Sequence, residues 1–222
     1  MSTTRRLVIV SGGTSDPSST RMLADRIAQR AVIRAAEAGF DLELSVVELR
    51  PLAADLASAQ VTGFAPATVQ EAIDRLAQAD AVVVATPVYK AGISGLVKSF
   101  VDVLDQDLLI ATPVVLAATA GTARHALVVD EQLRSLFAYL RALPTPTSVF
   151  AASDDWGSSS LSERIDRAAT ELVVLIEAGV RDRMREASWH RYQHTFGGAA
   201  SAPGFDAVDL DSDLMRLAAG GR

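Results

Sequence analysis

Short runs that are apolar at every position alternate along this chain with longer stretches in which apolar residues recur every three or four positions. The two patterns call for different elements. A run such as Leu7-Val8-Ile9-Val10 or Val82-Val83-Val84-Ala85 has no polar face, so it predicts a strand covered on both sides, as in a parallel sheet. Strands are expected at 6–11, 42–49, 81–86, 112–119 and 147–150. The intervening periodicity predicts helices over 19–37, 68–79, 94–107 and 124–143. A last helix is expected over 161–185, where Leu161, Ile165, Ala168, Leu172 and Leu175 share a face. The segment 55–67 carries two breakers, Gly63 and Pro66, and reads as a connection with no chemistry of its own. Residues 1–185 thus form one domain and 186–222 an extension. Its Gly197-Gly198 to Pro203-Gly204 stretch reads as a linker. The acidic segment 205–217, with Phe205, Val208, Leu210, Leu214 and Leu217, either docks on another subunit or is disordered.

Strands alternating with helices predict an α/β fold: a flavodoxin-like, doubly wound, five-stranded parallel sheet of order 2-1-3-4-5, with helices on both faces. In such sheets ligands sit beyond the carboxyl ends of the strands where the winding reverses, here between the first and third strands. The loops expected to carry chemistry therefore follow Val10, Ala85 and Ala118.

Composition narrows the chemistry. The chain has 222 residues, 49% hydrophobic and 22% charged, as in an ordinary globular protein. With no cysteine, disulfides, thiolate metal sites, cysteine nucleophiles and dithiol redox chemistry are excluded, so a redox function needs an organic cofactor or other ligands. His190 and His194 are four apart with no third ligand, which does not predict a metal. A net charge of −6 with no basic stripe argues against nucleic-acid binding. No apolar run reaches the roughly 18 residues of a membrane span, and no signal peptide precedes the first strand, so a cytoplasmic location is expected. Only two of the basic residues are lysines, Lys90 and Lys98, against nineteen arginines.

Each of the three loops has an unusual sequence. The first, Ser11-Gly12-Gly13-Thr14-Ser15-Asp16-Pro17-Ser18-Ser19-Thr20-Arg21, places hydroxyls, glycines and free amides at a helix N-terminus, the outline of an anion site. It lacks the Gly-Lys-Ser/Thr of a P-loop and the Gly-x-Gly-x-x-Gly of dinucleotide folds, and Glu48 stands too far along to read a ribose, so a monophosphate is the better ligand. The alternative is that Ser18 simply caps the helix. In the second loop, Thr86-Pro87-Val88-Tyr89-Lys90-Ala91-Gly92-Ile93-Ser94, Pro87 is expected to turn the chain out of the sheet and Ser94 to cap the next helix. The third, Thr119-Ala120-Gly121-Thr122-Ala123-Arg124-His125, offers a second set of backbone donors, suited to a planar ring bearing carbonyls and amides.

Taken together, Ala85-Thr86-Pro87-Val88-Tyr89-Lys90, Ser94-Gly95 and Lys98 with Asp102 resemble the NAD(P)H-dependent FMN reductase family, particularly the flavin reductases that serve two-component monooxygenases. Thr119-x-Gly121-Thr122-x-x-His125 with Asp130 is a second match, and the likeness spans roughly residues 7–143. In the first loop Gly13 stands where the family usually has serine and Ser19 where it has arginine, with Arg21, directly after Thr20, as the compensating cation. The resemblance implies FMN as cofactor and NADPH or NADH as reductant. It implies that Ser11, Ser18, Ser19, Thr20 and Arg21 surround the phosphate, that Pro87, Val88, Tyr89 and Lys90 border the ribityl chain and ring, and that Thr119, Ala120, Gly121 and Thr122 close the pyrimidine side. Hydride passes to the flavin, so no acid–base dyad is needed, and Tyr89, Lys90 and His125 are the candidate catalytic neighbours. A homodimer or homotetramer is implied, with Trp156, Trp189 or the tail reaching a neighbour, and a flavin-dependent monooxygenase as a possible partner. Arg21, Arg50 and Arg124 are the candidates for meeting a 2′-phosphate. Two other readings stay open: a quinone, azo or nitro reductase that retains its FMN, and a non-enzymatic FMN electron carrier. A response regulator is disfavoured, because Ser11-Gly12 and Thr86-Pro87 stand where its acids would be, and an inert α/β binding domain is a minor alternative.

Overall fold

A computed structural model describes residues 4–189; the expected linker, the acidic tail, His190 and His194 lie outside the described residues. Five segments form the parallel sheet: β1 (Thr4–Ser11), β2 (Asp41–Glu48), β3 (Ala81–Tyr89), whose continuation turns back as the short β4 (Gly92–Ile93), then β5 (Pro113–Ala120), and a fifth strand in two pieces, β6 (Leu143–Pro144) and β7 (Val149–Ala152). Reading across the sheet, β2, β1, β3 and β5 are followed by β6 and β7, both parallel to β5, which is the expected 2-1-3-4-5 winding. Only β4 is antiparallel, as the return arm of a hairpin with β3. The fifth strand is split because Pro144 and Pro146 bracket a two-residue slip in register, from Pro113 opposite Leu143 to Ala117 opposite Val149. The freed backbone is recaptured: Arg134 donates to the Thr145 and Pro146 carbonyls, and Glu171 accepts from the amide and hydroxyl of Thr147.

Because the strands are apolar throughout, alternate residues feed two separate cores. Leu7, Ile9, Val83, Val115 and Ala117 face α1 (Ser19–Glu37) and α6 (Ser159–Glu177), meeting Leu23, Ile27, Leu161, Ile165 and Leu172. Val8, Val10, Val82, Val84 and Leu116 face the opposite layer, built from α2 (Ala53–Thr62), α3 (Ala67–Ala77), α4 (Gly95–Asp102) and α5 (Arg134–Tyr139), with Leu56, Leu76, Val97, Phe100 and Phe137. Alanines at 24, 28, 31 and 35 let α1 lie close to the sheet, and Arg30 and Arg34 clasp Asp166 of α6. That clasp, Arg34 foremost, holds the Asp166 carboxyl below the usual carboxylate range. No helix among the described residues is long and apolar enough to cross a membrane.

Several boundaries differ from those expected. The connection at 55–67 contains a helix, α2, which buries only Leu56 and Ala59 and ends in a left-handed Gly63. The helix expected over 124–143 is a 3₁₀ turn (Ala123–His125), a wide π turn (Val129–Leu133) and only then α5; the wide turn lets both Val129 and Leu133 reach the core. The helix expected over 161–185 breaks at Gly179, left-handed at φ 60°, before the short α7 (Val180–Met184). The one expected over 94–107 stops at Asp102. At the amino ends of the strands, Arg181 donates to the Ala77 carbonyl at 3.2 Å and Arg185 to those of Ile110 and Leu108 at 2.8 and 3.0 Å. Burial pushes both guanidinium groups down from the ordinary arginine range.

Candidate functional site

At the carboxyl ends of β1, β3 and β5 the three loops are fastened together by short side chains. The first turns immediately: the Gly12 amide donates to the Ala85 carbonyl at 2.8 Å, and a Cβ at Gly12 would lie 2.2 Å from Val97 of α4. Only glycine lets α4 pack this closely. A Cβ at Gly13 would lie 2.0 Å from the Ser18 hydroxyl, so the absence of a side chain there gives Ser18 its place. Ser18 caps α1, accepting from the Arg21 amide at 3.2 Å. The capping alternative is therefore realised, yet it satisfies only part of the helix start. The amides of Ser19 and Thr20 have no acceptor among the described residues.

Two hydroxyl pairs then join loops that are far apart in sequence. Thr20, buried, lies 2.7 Å from the Thr119 hydroxyl across 99 residues, and Thr14 lies 2.6 Å from the Tyr89 hydroxyl across 75. The Thr20 side chain, expected at a phosphate, is thus turned into the protein, and only its amide is open. Ser11 is buried as well, its hydroxyl 3.4 Å from the Gly13 amide.

Pro87 does not turn the chain out of the sheet. It lies within β3, in register with Thr119. Since β1 ends opposite Ala85, β3 has one free flank from there on, where a residue without an N–H is accommodated. The turn falls later, at Lys90 and Ala91, both left-handed with φ of 50° and 61° between the paired Tyr89 and Gly92. This is the two-residue hairpin shape that normally takes Asn-Gly, and it costs roughly 1–2 kcal/mol for each residue bearing a Cβ. Gln132, in the π turn, grips it from the side: its side-chain oxygen accepts from the Ile93 amide and its nitrogen donates to the Ala91 carbonyl, both at 3.1 Å. Ser94 caps α4 as expected, accepting from the Val97 amide, while its own amide donates to Thr86. Tyr89, 51% exposed, and Lys90, exposed and without an ion pair among the described residues, project from this hairpin. The other lysine, Lys98, pairs with Asp102 on α4. Ala120 ends β5; Gly121 and Thr122 are exposed beyond it, and His125 is half-buried in the 3₁₀ turn with no partner among the described residues. Of the residues considered for contact with a neighbour, Trp156 packs against the α1–α6 core with Arg26 6.0 Å above its ring, and Trp189 lies beneath Arg141 at 5.3 Å.

Beside the first loop is a recess of about 160 Å3 lined by Gly13, Ser18, Arg21, Glu48 and Arg50, among others. Its arginines are engaged. Arg21 binds Asp25 at 2.7 Å and also Glu48, and Arg50 binds Asp16 at 3.3 Å. Glu48, too far along the chain to read a ribose, instead holds Arg21 from 27 residues away; of the two carboxylates on Arg21 only Asp25, four positions on along the helix, is visible from local spacing. A larger hollow of about 470 Å3 lies between α1 and α6, but it is bounded by the Arg30–Asp166 ion pair and lies away from the three loops.

The residues present fit a flavin mononucleotide. Open amides and serine hydroxyls at the start of α1 suit its phosphate, and the small, exposed residues of the third loop leave room beside the hairpin for a planar ring. A family profile described as NADPH-dependent FMN reductase matches residues 5–157. The FMN reductase (NADPH) of Pseudomonas aeruginosa is 40% identical over 175 residues, 77% of this chain and 91% of that protein. The NADH-dependent FMN reductase SfnE of Pseudomonas putida is 39% identical, over 80% of this chain and 96% of its own. Among solved structures, an oxidoreductase from Corynebacterium diphtheriae superposes with a TM-score of 0.75 at 44% identity, over 78% of this chain and 97% of the other.

Proposed function

The chain belongs to the NADPH-dependent FMN reductase family, and from that premise we propose that it is an NAD(P)H:flavin oxidoreductase that reduces FMN and releases it, reduced, to an acceptor such as a partner monooxygenase. The observation that carries this reading is the convergence of the three loops, tied by Thr14–Tyr89 and Thr20–Thr119 into one surface at the winding switch of the sheet. When bound, FMN supplies the hydride-accepting chemistry. The protein's part is to bind and orient. The Ser19 and Thr20 amides with the Ser18 and Ser19 hydroxyls take the phosphate, while Thr20 itself acts through its amide, since its hydroxyl is committed to Thr119. Val88, Tyr89 and Lys90 border the ring from the hairpin. The amides at the end of β5 and just beyond it, at Ala120, Gly121 and Thr122, meet its polar edge and favour negative charge there. Lys90, held in a left-handed turn and without an ion pair among the described residues, brings an ammonium to the ring from the hairpin. The two relatives named above differ in their pyridine nucleotide, so family membership leaves NADPH and NADH both as reductants. A homo-oligomer and a cytoplasmic location complete the reading.

Steady-state oxidation of NADPH and NADH by the purified protein, with FMN supplied in large excess, tests it. Many turnovers per enzyme, with reduced FMN accumulating free in anaerobic solution, are expected. No FMN-dependent oxidation of either nucleotide overturns the reading, and turnover that stops at one flavin per chain until a quinone is added replaces it with a reductase that retains its flavin.

A further inference from the structure

We propose that Glu48 keeps Arg21 from the flavin phosphate, and that this ion pair makes FMN an exchanging substrate of the protein; the inference rests on the flavin reading above. The position of Glu48 is fixed by the sheet. It is the last residue of β2, in register with Ser11 at the end of β1, and the following amide, of Leu49, donates to the Ser11 carbonyl at 3.0 Å. From there its carboxylate reaches Arg21, the first full cation on α1 beyond the open amides. The Arg21 guanidinium is engaged on two sides, by Asp25 through Nε and by Glu48 through a terminal nitrogen. Arginine binds a phosphate most firmly when its planar fork is free to donate two parallel hydrogen bonds. Here each edge of the fork already has one nitrogen on a carboxylate, Nε on Asp25 and a terminal nitrogen on Glu48.

The charge balance of the recess points the same way. Both arginines of the recess, Arg21 and Arg50, are matched by the two carboxylates that line it, Glu48 and Asp16, and Arg21 also by Asp25 beside it, so no unpaired cation waits where a phosphate dianion is to enter. An incoming phosphate has to draw Arg21 away from Glu48 and then tolerate the displaced carboxylate, which is 50% exposed and free to remain nearby. Binding then rests on the helix-start amides and serine hydroxyls, which hold a phosphate without a guanidinium. An enzyme that must release its product gains from that, because the group common to oxidised and reduced FMN is held only moderately. The phosphate, rather than the ring, is the handle on which Glu48 acts.

The test compares FMN with riboflavin, which carries the same ring without the phosphate, by fluorescence or calorimetric titration of the wild type, Glu48→Gln, and Glu48→Gln combined with Arg21→Met. Glu48→Gln is expected to tighten FMN by about three- to tenfold, in line with the release of a partly exposed ion pair into a charge-assisted phosphate contact. Riboflavin affinity stays the same, and the gain disappears when Arg21 is also removed. Salt should narrow the difference between wild type and Glu48→Gln. Thermal melting without ligand reports that each variant is folded. Unchanged or weaker FMN binding by folded Glu48→Gln overturns the proposal, as does an equal shift in riboflavin. Absence of FMN binding by both wild type and variant overturns the flavin reading together with it. A wild type that binds FMN but does not oxidise NAD(P)H overturns the enzymatic reading alone, the FMN-to-riboflavin comparison still deciding the role of Glu48.

Discussion

The two ends of the same sheet are finished in opposite ways. At the amino ends, long cationic side chains from the last helical turns lie along the protein and place their guanidinium groups on backbone carbonyls: Arg181 on Ala77, Arg185 on Leu108 and Ile110. Asp80 accepts from the Arg6 amide at 2.7 Å and pairs with Arg5. Here backbone groups that emerge from the sheet are met by a side chain. At the carboxyl ends the loops after β1 and β5 are built mostly of glycine, serine, threonine and alanine, and what joins the three loops is hydroxyl against hydroxyl. These side chains are too short to cover the backbone, so amides at the start of α1 remain open. The difference shows how one architecture yields a sealed end and a receptive one: side-chain length decides whether the backbone at a strand end is consumed internally or offered to a ligand.

Substitutions at each end sharpen the contrast. The largest effect is expected for Gly12→Ala, whose new Cβ collides with Val97; overpacking of this kind costs about 1–3 kcal/mol. Chemical denaturation should report that loss together with a fall in FMN affinity, since the loop cannot move off α4 without moving Ser18. Retention of both would mean that α4 yields and the receptive end is softer than described. Next in size is Arg181→Met, which keeps the buried stem and removes a charge-assisted hydrogen bond to Ala77, for a loss of about 1–2 kcal/mol. FMN affinity should not change, and a parallel loss of flavin binding would show the two ends to be coupled. The smallest effect, of opposite sign, is expected for Ala91→Gly. Relieving a left-handed alanine, less the added freedom of the unfolded chain, stabilises by roughly 0.5–1 kcal/mol. A lower melting temperature for this variant would contradict the left-handed turn at the hairpin tip.

Much of this contrast could be read in the sequence, and the rest could not for identifiable reasons. The runs 7–10 and 81–85 are apolar at every position because both faces of those strands are buried, and the alternation with helices is enough to fix the winding and hence the three loops. The helix α2 escaped because it buries only Leu56 and Ala59, a stripe too thin to stand out beside Gly63 and Pro66. A 3₁₀ turn, a π turn and an α-helix carry nearly the same apolar spacing, so 124–143 read as one helix. Pro87 read as a turn because its tolerance in a strand depends on where β1 happens to end. At the site, Ser18 was legible as a cap from its neighbours alone. The burial of Thr20, the grip of Gln132 on the hairpin and the capture of Arg21 by Glu48 depend on partners 27 to 99 residues distant, and no local pattern reports them.

The hydroxyl pair between α1 and β5 has one further property. Thr20 and Thr119 together own two protons, and either oxygen can donate to the other. Whichever does so, one proton lies between the two oxygens and the second is left without a protein acceptor among the described residues. The pair therefore always holds one surplus donor, and its sense can reverse by two bond rotations with no movement of heavy atoms. A neighbouring carbonyl or anion would draw that proton outward from one threonine or the other, so the polarity of this seam is set by whatever comes to lie against it.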